Sequence, residues 1–398
     1  MGVILGTSSD KNVLLIALCM IWTRLNLETL GEMSMKNFVL LLVSLALSAG
    51  VLANDNLRIS GFGSLVAGQV LDGSGYVADY PNLGIYDDEL DLGQETRFGI
   101  QANATLDENL TATMQVMTRA NNDYEAEVEW MFINYAITDD LELQAGKLRL
   151  PVYYYSEYMD VGIAYPWVRV PSDAYSLDVT NFTGLQLNHR TFLGSTSFTT
   201  TLYTGRQTNN SDELMSYLFD NDPGDVTGVG SANVDRTFTN ILGVGFEVNR
   251  DSTIAKISFT QSDFDETIVN SFTAEADGTI EFIDVYLQQN FGPVSVMLEY
   301  NDYDPFYSSY FVSATYTLGM HTFYVMNSKF ELDAKDGTGV PFEEHDTNSL
   351  GVRCNLGVRT ALKFDISMIN DTGATPVNQD PNNDGDATIF TTSLDFMF

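Results

Sequence analysis

The sequence predicts an all-β protein, a transmembrane antiparallel β-barrel of 16 strands. Three observations predict this fold. After Leu57, runs of about ten residues alternate apolar and polar side chains, which is the period-two pattern of a β-strand. Short connections alternate with mostly long ones, as in barrels that have tight turns on one side of a membrane and loops on the other. No run after Ala53 is long and apolar enough for a membrane helix, whereas a closed barrel crosses a membrane with every backbone group paired.

Sixteen alternating runs can be counted, and this number of strands is typical of an outer-membrane barrel around a water-filled lumen. In the run 359–371, Leu362 and Phe364 share one face, and Lys363 and Asp365 share the other. We expect the apolar face to meet lipid and the polar face to meet water. A soluble β-sandwich also alternates, but it rarely needs sixteen strands with short turns on one side. The runs are 57–70, 95–106, 110–120, 127–138, 141–150, 183–193, 195–207, 240–250, 253–264, 279–291, 294–304, 308–318, 321–333, 346–356, 359–371 and 388–398.

The connections predict which side of the membrane each strand end occupies. The short ones predict tight hairpin turns, which would lie on the periplasmic side together with both ends of the barrel chain. They are 107–109, 139–140, 194, 251–252, 292–293, 319–320 and 357–358. The other connections are 71–94, 121–126, 151–182, 208–239, 265–278, 334–345 and 372–387, together with 305–307, which is short.

The composition excludes some partners. The 398 residues carry a net charge of −35, with 54 Asp and Glu against 19 Lys and Arg, so too few cations are present to neutralise nucleic-acid phosphates. The aromatic content of 12% argues against a disordered acidic protein. The charge favours attraction of cations, although an acidic surface that only keeps the protein soluble explains it equally well. The two cysteines, Cys19 and Cys354, do not suggest a disulfide framework.

The N-terminus contains a targeting segment. Residues 35–53 have one positive charge, an apolar core and a small final residue, which predicts a signal peptide cleaved after Ala53. Residues 1–34 are then expected to be an over-extended N-terminus with the true start at Met35; a long bipartite export signal is the alternative. Residues 54–398 would form the mature barrel domain.

The last run ends the chain on Phe398, with Phe390, Leu394 and Phe396 on the same face. A signal peptide, alternating strands and a terminal aromatic strand together resemble the Gram-negative outer-membrane porin superfamily, in its 16-stranded general-diffusion type. The resemblance implies an outer-membrane location, contact with lipid and lipopolysaccharide, and a homotrimer. It also implies that Phe398 is part of the signal that the barrel-assembly machinery reads.

The resemblance gives a direction to residues 151–182, a proline-broken segment rich in Tyr. By order this is the third long connection, which in such porins folds inward and sets the constriction. The local pattern looks like a proteobacterial subgroup, because the Pro-Glu-Phe-Gly-Gly type motif of enterobacterial porins is absent. Constriction residues of those porins are therefore not carried over.

The residues themselves suggest a constriction of opposed charges. A bulge near Gly146 would turn Lys147 and Arg149 inward, where acidic side chains of the loop could face them across the lumen. Such opposed charges create a transverse field that orients solutes and filters ions. The alternative is that the two cations only neutralise the loop, and Arg169 is as suited to structure as to the pore. The candidates are Lys147, Arg149, Glu157, Asp160, Arg169 and Asp173.

Further basic residues lie in runs where an inward direction is possible, so they are candidates for the pore wall or for a solvated structural role. They are Arg97, Arg119, Arg190, Lys256, Arg353 and Lys363. A cluster of Tyr153, Tyr154, Tyr155 and Tyr158 suggests either a sugar-stacking track or, more simply, packing of the loop against the wall.

Two acidic loops are weak candidates for Ca²⁺, and otherwise we expect no cofactor. Residues 380–386 match the opening of a calcium loop but lack the bidentate Glu at the twelfth position. Solvated acidic turns are the simpler interpretation. The candidate ligands are Asp380, Asn382, Asp384 and Asp386, and a second acidic cluster is Asp220, Asp222 and Asp225.

The function most consistent with the sequence is a porin that passes small hydrophilic solutes and ions by diffusion, with mild cation preference. No nucleophile–base pairing stands out around His189, His321 or His345, so we expect no enzyme. Two alternatives stay open. One is a substrate-specific channel with a binding site at the third loop. The other is a structural or adhesive outer-membrane protein.

Overall fold

The computed structural model describes residues 56–398 apart from 74, 79, 83, 178, 210–232, 270–272, 334–338, 340–342 and 374–385. The segments 1–34 and 35–53 lie outside the described residues. Sixteen strands form one closed barrel in which neighbours along the chain are neighbours in the sheet, so the predicted fold class is confirmed. Within the described ranges, no helix is long and apolar enough to cross a membrane.

The barrel consists of strands β1 and β4 to β18, whereas β2 and β3 form a separate hairpin that the sequence did not predict. The strands are β1 (Leu57–Asp72), β2 (Tyr76–Ala78), β3 (Gly84–Tyr86), β4 (Arg97–Asp107), β5 (Leu110–Arg119), β6 (Ala126–Thr138), β7 (Leu141–Arg149), β8 (Asn181–Leu193), β9 (Thr196–Asn209), β10 (Asn233–Arg250), β11 (Thr253–Val269), β12 (Thr273–Phe291), β13 (Val294–Asp304), β14 (Tyr307–Leu318), β15 (His321–Leu332), β16 (Glu344–Gly357), β17 (Thr360–Asp371) and β18 (Ala387–Met397).

The first and last strands close the barrel. β1 pairs antiparallel with β18, with Phe62 opposite Met397 and Val70 opposite Ile389. The pairing extends to the last residue, because the Gly61 N–H donates to the Phe398 carbonyl at 3.1 Å and the Phe398 N–H donates back at 2.9 Å. The chain end is therefore part of the sheet, as the terminal aromatic strand indicated.

Most strand ends fall within a few residues of the prediction, but the loop predicted at 265–278 is wrong. β11 and β12 pair without a break from Thr253↔Gln289 to Val269↔Thr273. Residues 233–239, also predicted as loop, belong to β10. These three strands have 17 to 19 residues, more than the roughly ten that cross a membrane. Where a strand extends beyond the membrane both faces can meet water, so alternation fades before the strand ends.

The two faces of the barrel strands carry different side chains. Leu298 on β13 and Phe364 on β17 are 39% and 37% exposed, as expected for a lipid-facing surface. Their neighbours Glu299 and Lys363 are fully buried. We call the face with these buried polar side chains the inner face.

The interior of the barrel can be divided along the strands into two halves. We call the interior next to turns such as 139–140 the short-turn half, and the interior at the opposite strand ends the long-loop half.

Candidate functional site

Residues 150–180, between β7 and β8, contact the inner face of many strands, and we call them the third connection. Its three prolines, Pro151, Pro166 and Pro171, cannot donate to a strand ladder. Among the described residues of the segment only single 3-10 turns form, at Ser156–Tyr158, Gly162–Ala164 and Ser172–Ala174. Most of its aromatic and aliphatic side chains are buried in one cluster with residues of the barrel wall. The segment is therefore packed as a core element although it lacks regular secondary structure.

The aromatic rings of the third connection pack against the wall. Tyr154 stacks on Tyr286 of β12, with ring centroids 3.8 Å apart and nearly parallel planes. The indole N–H of Trp167 donates to Ser313 Oγ on β14 at 3.1 Å. Tyr153 stacks on Tyr175 within the segment itself. Packing, rather than a free sugar-stacking track, accounts for these contacts.

Basic side chains from the wall bind backbone carbonyl groups of the third connection. The Lys363 ammonium, on β17, donates to the carbonyls of Gly162 and Trp167, both at 2.5 Å, and pairs with Asp395 at 2.9 Å. It also lies 4.6 Å from the centroid of the Tyr165 ring. A fully buried lysine requires partners of this kind, because an unpaired buried charge is costly.

Four further cations make the same type of contact from other strands. Arg353 on β16 donates to two carbonyls, at 2.8 and 3.0 Å, and Lys256 on β11 donates to two more, at 3.0 and 2.5 Å. Arg97 on β4 binds the Asp160 carbonyl at 2.9 Å, and Arg149 on β7 binds the Ser156 carbonyl at 2.7 Å. We call these residues the carbonyl-binding cations: Arg97, Arg149, Lys256, Arg353 and Lys363.

Asp160 is the centre of a buried charge network. Its Oδ2 accepts from Arg149 Nη2 at 2.8 Å and from Arg119 Nη2 at 3.3 Å, and its Oδ1 accepts from Asn82 Nδ2 at 3.0 Å. Both arginines also pair with Glu129 of β6. Burial raises the pKa of the Asp160 carboxyl, but Arg119 and Arg149 lower it more, so the net pKa is well below its ordinary value.

The bulge predicted near Gly146 is wrong. β7 pairs without a break with β8, and its pairing with β6 is continuous across Gly146 to Lys147. The irregularity lies instead in β6, where the register with β5 shifts and leaves Glu129 as the extra residue. Lys147 lies opposite the exposed Met131, and its ammonium donates to the Val128 carbonyl at 2.7 Å.

Two other charged residues of the third connection are buried in ion pairs. Arg169 binds both carboxylate oxygens of Glu95, at 2.7 and 2.5 Å. Asp173 lies 3.2 Å from His345 Nδ1 and accepts from Ser328 Oγ at 2.6 Å. Burial raises the pKa of Asp173, but His345 lowers it more, so that it lies below the ordinary value.

Two open cavities occupy the short-turn half. The larger, of 740 Å³, is lined by side chains of β8, β9 and β10 and by the third connection, including the exposed Glu157. The second, of 520 Å³, shares Tyr154 and Tyr158 with it and reaches Arg353. Six acidic and two basic residues line the larger cavity: Glu108, Asp139, Asp140, Glu142, Glu157 and Glu247, with Arg190 and Lys256.

The calcium candidates Asp380, Asn382 and Asp384, with Asp220, Asp222 and Asp225, lie outside the described residues. Asp386 is described, and its Oδ1 accepts from the Asp371 N–H at 3.0 Å. Among the residues that the structure describes, no group of three or more His, Cys, Asp or Glu side chains is arranged to hold a metal ion.

The sequence analysis did not identify Glu95, which pairs with Arg169, or Glu129, which pairs with Arg119 and Arg149. Glu95 lies 74 positions from Arg169 in the chain, and Glu129 lies 20 from Arg149. A signal for Glu129 existed, because the alternation of β6 breaks there. No local signal identifies Glu95, since its partner is defined only by the folded third connection.

The sequence matches the model of a Gram-negative porin family over residues 40–397. The chain belongs to the Gram-negative porin family. As a Gram-negative porin, it forms a channel of the outer membrane and is a channel protein rather than an enzyme. A search of curated protein sequences finds no match.

Solved structures of outer-membrane proteins share the fold at low sequence identity. The channel DcaP of Acinetobacter baumannii has a TM-score of 0.55 at 11% identity, over 86% of this chain and 97% of that one. OmpT of Vibrio cholerae has a TM-score of 0.53 at 13% identity, over 87% of this chain and 99% of that one. OmpF of Salmonella typhi in complex with daunomycin has a TM-score of 0.52 at 12% identity, over 86% of this chain and 98% of that one. These likenesses support the barrel fold.

Proposed function

We propose that this porin is a diffusion channel for small hydrophilic solutes and ions, and that the third connection folds into its lumen and narrows it. The observation that carries the proposal is the set of contacts between residues 150–180 and the inner face. Carbonyl groups of the segment bind cations from β4, β7, β11, β16 and β17, and its rings pack on β12 and β14. Contacts with so many strands of a closed barrel support a position of the segment inside the lumen.

We further propose that the open path follows β8 to β10, along the 740 Å³ cavity. Glu157, on the third connection, and Arg190, on β8, both line this cavity and carry opposite charges. They are our candidates for the constriction. Arg149, Asp160, Arg169 and Asp173, expected in the constriction from the sequence, are buried and paired, and in this proposal they hold the segment in place. Lys147, opposite the exposed Met131, is left outside the path.

The charge of the same cavity supports mild cation preference. Its lining has six carboxylates against two cations, and the ammonium group of one of them, Lys256, is bound to two carbonyls. Lumenal carboxylates raise the local concentration of cations. The arginines that could oppose this preference, such as Arg149 and Arg169, are neutralised by buried carboxylates.

Recording of single channels in planar bilayers tests this function. We expect ohmic conductance that is insensitive to the identity of small sugars, and a reversal potential in a salt gradient with the sign of a cation-preferring pore. Absence of conductance by the folded barrel would reject the channel, and a reversal potential of the opposite sign would reject the cation preference.

A substrate-specific channel is the second candidate, because Tyr154 and Tyr158 line both open cavities and could contact a bound solute. Saturable block of the current by one solute would favour it. No observation on the described residues favours a structural or adhesive role.

We also propose a homotrimer embedded in lipid and lipopolysaccharide, with Phe398 read by the barrel-assembly machinery. One solved form of Vibrio cholerae OmpT, with a TM-score of 0.52, is described as a trimer. The ring of Phe398 stacks on Phe98 of β4. Native electrophoresis tests the homotrimer. The assembly yield of a Phe398→Ala variant tests the role of Phe398 in assembly.

A further inference from the structure

The β2–β3 hairpin is buried although it belongs to no barrel sheet. Tyr76, Ala78, Tyr80 and Tyr86 are each at most 3% exposed. Tyr86 packs directly on β1, where any side chain larger than that of Gly68 would overlap its ring. A surface loop would leave such aromatic side chains in water. This hairpin instead lies against the inner face.

The hairpin and its flanking residues bind the third connection at three points. Tyr76 Oη lies 3.2 Å from Ser172 Oγ, and Asn82 Nδ2 donates to Asp160 Oδ1 at 3.0 Å. The third point is Glu95, which lies two residues before the start of β4 and pairs with Arg169 at 2.5 Å. Each point joins a polar group of one segment to a polar group of the other.

We call these three contact points the joint, and Glu95 is at its centre. Its carboxylate is fully buried and accepts four hydrogen bonds, two from the Arg169 guanidinium and one each from the hydroxyl groups of Tyr80 and Tyr86, both at 2.5 Å. Burial raises the pKa of Glu95, but Arg169 lowers it more, so the group is a carboxylate at neutral pH. A charge with this many partners, drawn from both segments, fixes one relative position of the two.

The interior around this joint is closely packed. The cavity between Tyr76, Arg169 and Ser328 of β15 measures 20 Å³, and the one between Tyr76, Asp173 and Phe330 measures 10 Å³. These spaces hold about one water molecule at most. The contacts therefore run from β1, through the hairpin and the third connection, to β15.

We propose that the β2–β3 hairpin and the third connection act as one inward unit, joined by the Glu95–Arg169 ion pair, and that this joined unit sets the size limit of the pore. The inference rests on the proposed channel function and deepens it. The hairpin closes the part of the interior between β1 and β15 that the third connection alone would leave open. Solutes are thereby restricted to the path along β8 to β10.

The test compares Arg169→Gln and the double variant E95Q/R169Q with the wild type. The single change leaves a buried carboxylate without its cation, whereas the double change removes both charges and keeps groups that can form hydrogen bonds. The matched control is Arg236→Gln, which removes a similarly buried ion pair, with Glu266, between two adjacent wall strands. Heat-modifiable migration on gels shows which variants have folded barrels.

We expect both joint variants, once folded, to conduct more than the wild type and to lose the size cut-off for sugars in liposome swelling. The control keeps wild-type conductance and cut-off. Wild-type conductance and cut-off in the folded double variant would overturn the inference, and so would an equal rise in the control. A wild-type barrel that does not conduct at all would instead reject the proposed channel, so the two failures are distinguishable.

Discussion

The two halves of the barrel interior use the same residue types in opposite ways. In the long-loop half, Glu95, Asp160 and Arg169 are buried and paired, and the three small cavities there measure 10 to 20 Å³. In the short-turn half, cavities of 740 and 520 Å³ are open, and Glu157 and Arg190 are exposed. Charged side chains in the first half position the chain. The second half also contains positioning cations, Lys256 and Arg353, but we propose that its exposed charged side chains are available to ions.

The difference is explained by the backbone of the third connection. An irregular segment has carbonyl groups that no strand or helix satisfies, and a buried carbonyl without a partner is costly. Basic side chains of the inner face satisfy eight such groups, which holds these cations against the segment. Six carboxylates and two cations line the larger open cavity. The net charge of −35 and the local charge of the path then agree in sign.

The largest effect is expected for Lys363→Met. The change leaves Asp395 as a buried unpaired carboxylate and frees the carbonyls of Gly162 and Trp167, so we expect a loss of about 3–5 kcal/mol in the free energy of unfolding. Urea unfolding followed by gel mobility measures it. The double variant K363M/D395L should recover part of the loss, because no buried charge remains. Unchanged stability of the single variant would contradict the positioning role.

An intermediate effect is expected from acid. The pKa of Asp160 is lower in the folded chain than its ordinary value of 3.8, so its stabilisation is complete above that ordinary value and is lost as the pH falls toward the folded pKa. We expect the urea midpoint to fall between about pH 5 and about pH 2 and to fall less steeply in Asp160→Asn. Asp251→Asn, in an exposed turn, is the control and should keep the wild-type slope. Equal slopes in all three proteins would argue against the buried network.

The smallest effect is expected for Glu157→Gln. Removing one exposed carboxylate from the path should lower the cation-over-anion permeability ratio by a factor of about two to five, with little change in stability. Reversal potentials in a salt gradient measure the ratio. Glu275→Gln, an exposed change on β12, should leave it unaltered. A larger change of the permeability ratio in Glu275→Gln than in Glu157→Gln would contradict a path along the third connection.

The strands could be predicted because alternation and tight turns are local properties. The side of the strand on which Lys363 lies could be predicted directly from the apolar side chains that alternate with it. The partners of that lysine could not be predicted, since Gly162 and Trp167 are about 200 positions away and belong to a segment without periodicity. The β2–β3 hairpin was missed for a related reason: three-residue strands do not give a detectable pattern.

The constriction expected from the sequence stays a prediction. The segment that the sequence singled out does contact the inner face, but most of its charges are used in buried pairs. Composition cannot show this, because Arg149 and Arg190 look alike in alternating runs. What distinguishes them is the nearness of a backbone carbonyl or a buried carboxylate, as Arg149 has in Ser156 and Glu129.

Cysteine accessibility in a conducting channel tests the account most directly. In a Cys354→Ser background, a Glu157→Cys substitution places one thiol beside the proposed path, and Ser172→Cys places one in the packed long-loop half, where Ser172 is 8% exposed. A charged thiol reagent should react at position 157 and reduce the current, and should leave the channel with a cysteine at 172 unchanged. No reaction at 157, or block through 172 alone, would contradict the division of the interior into a positioning half and a conducting half.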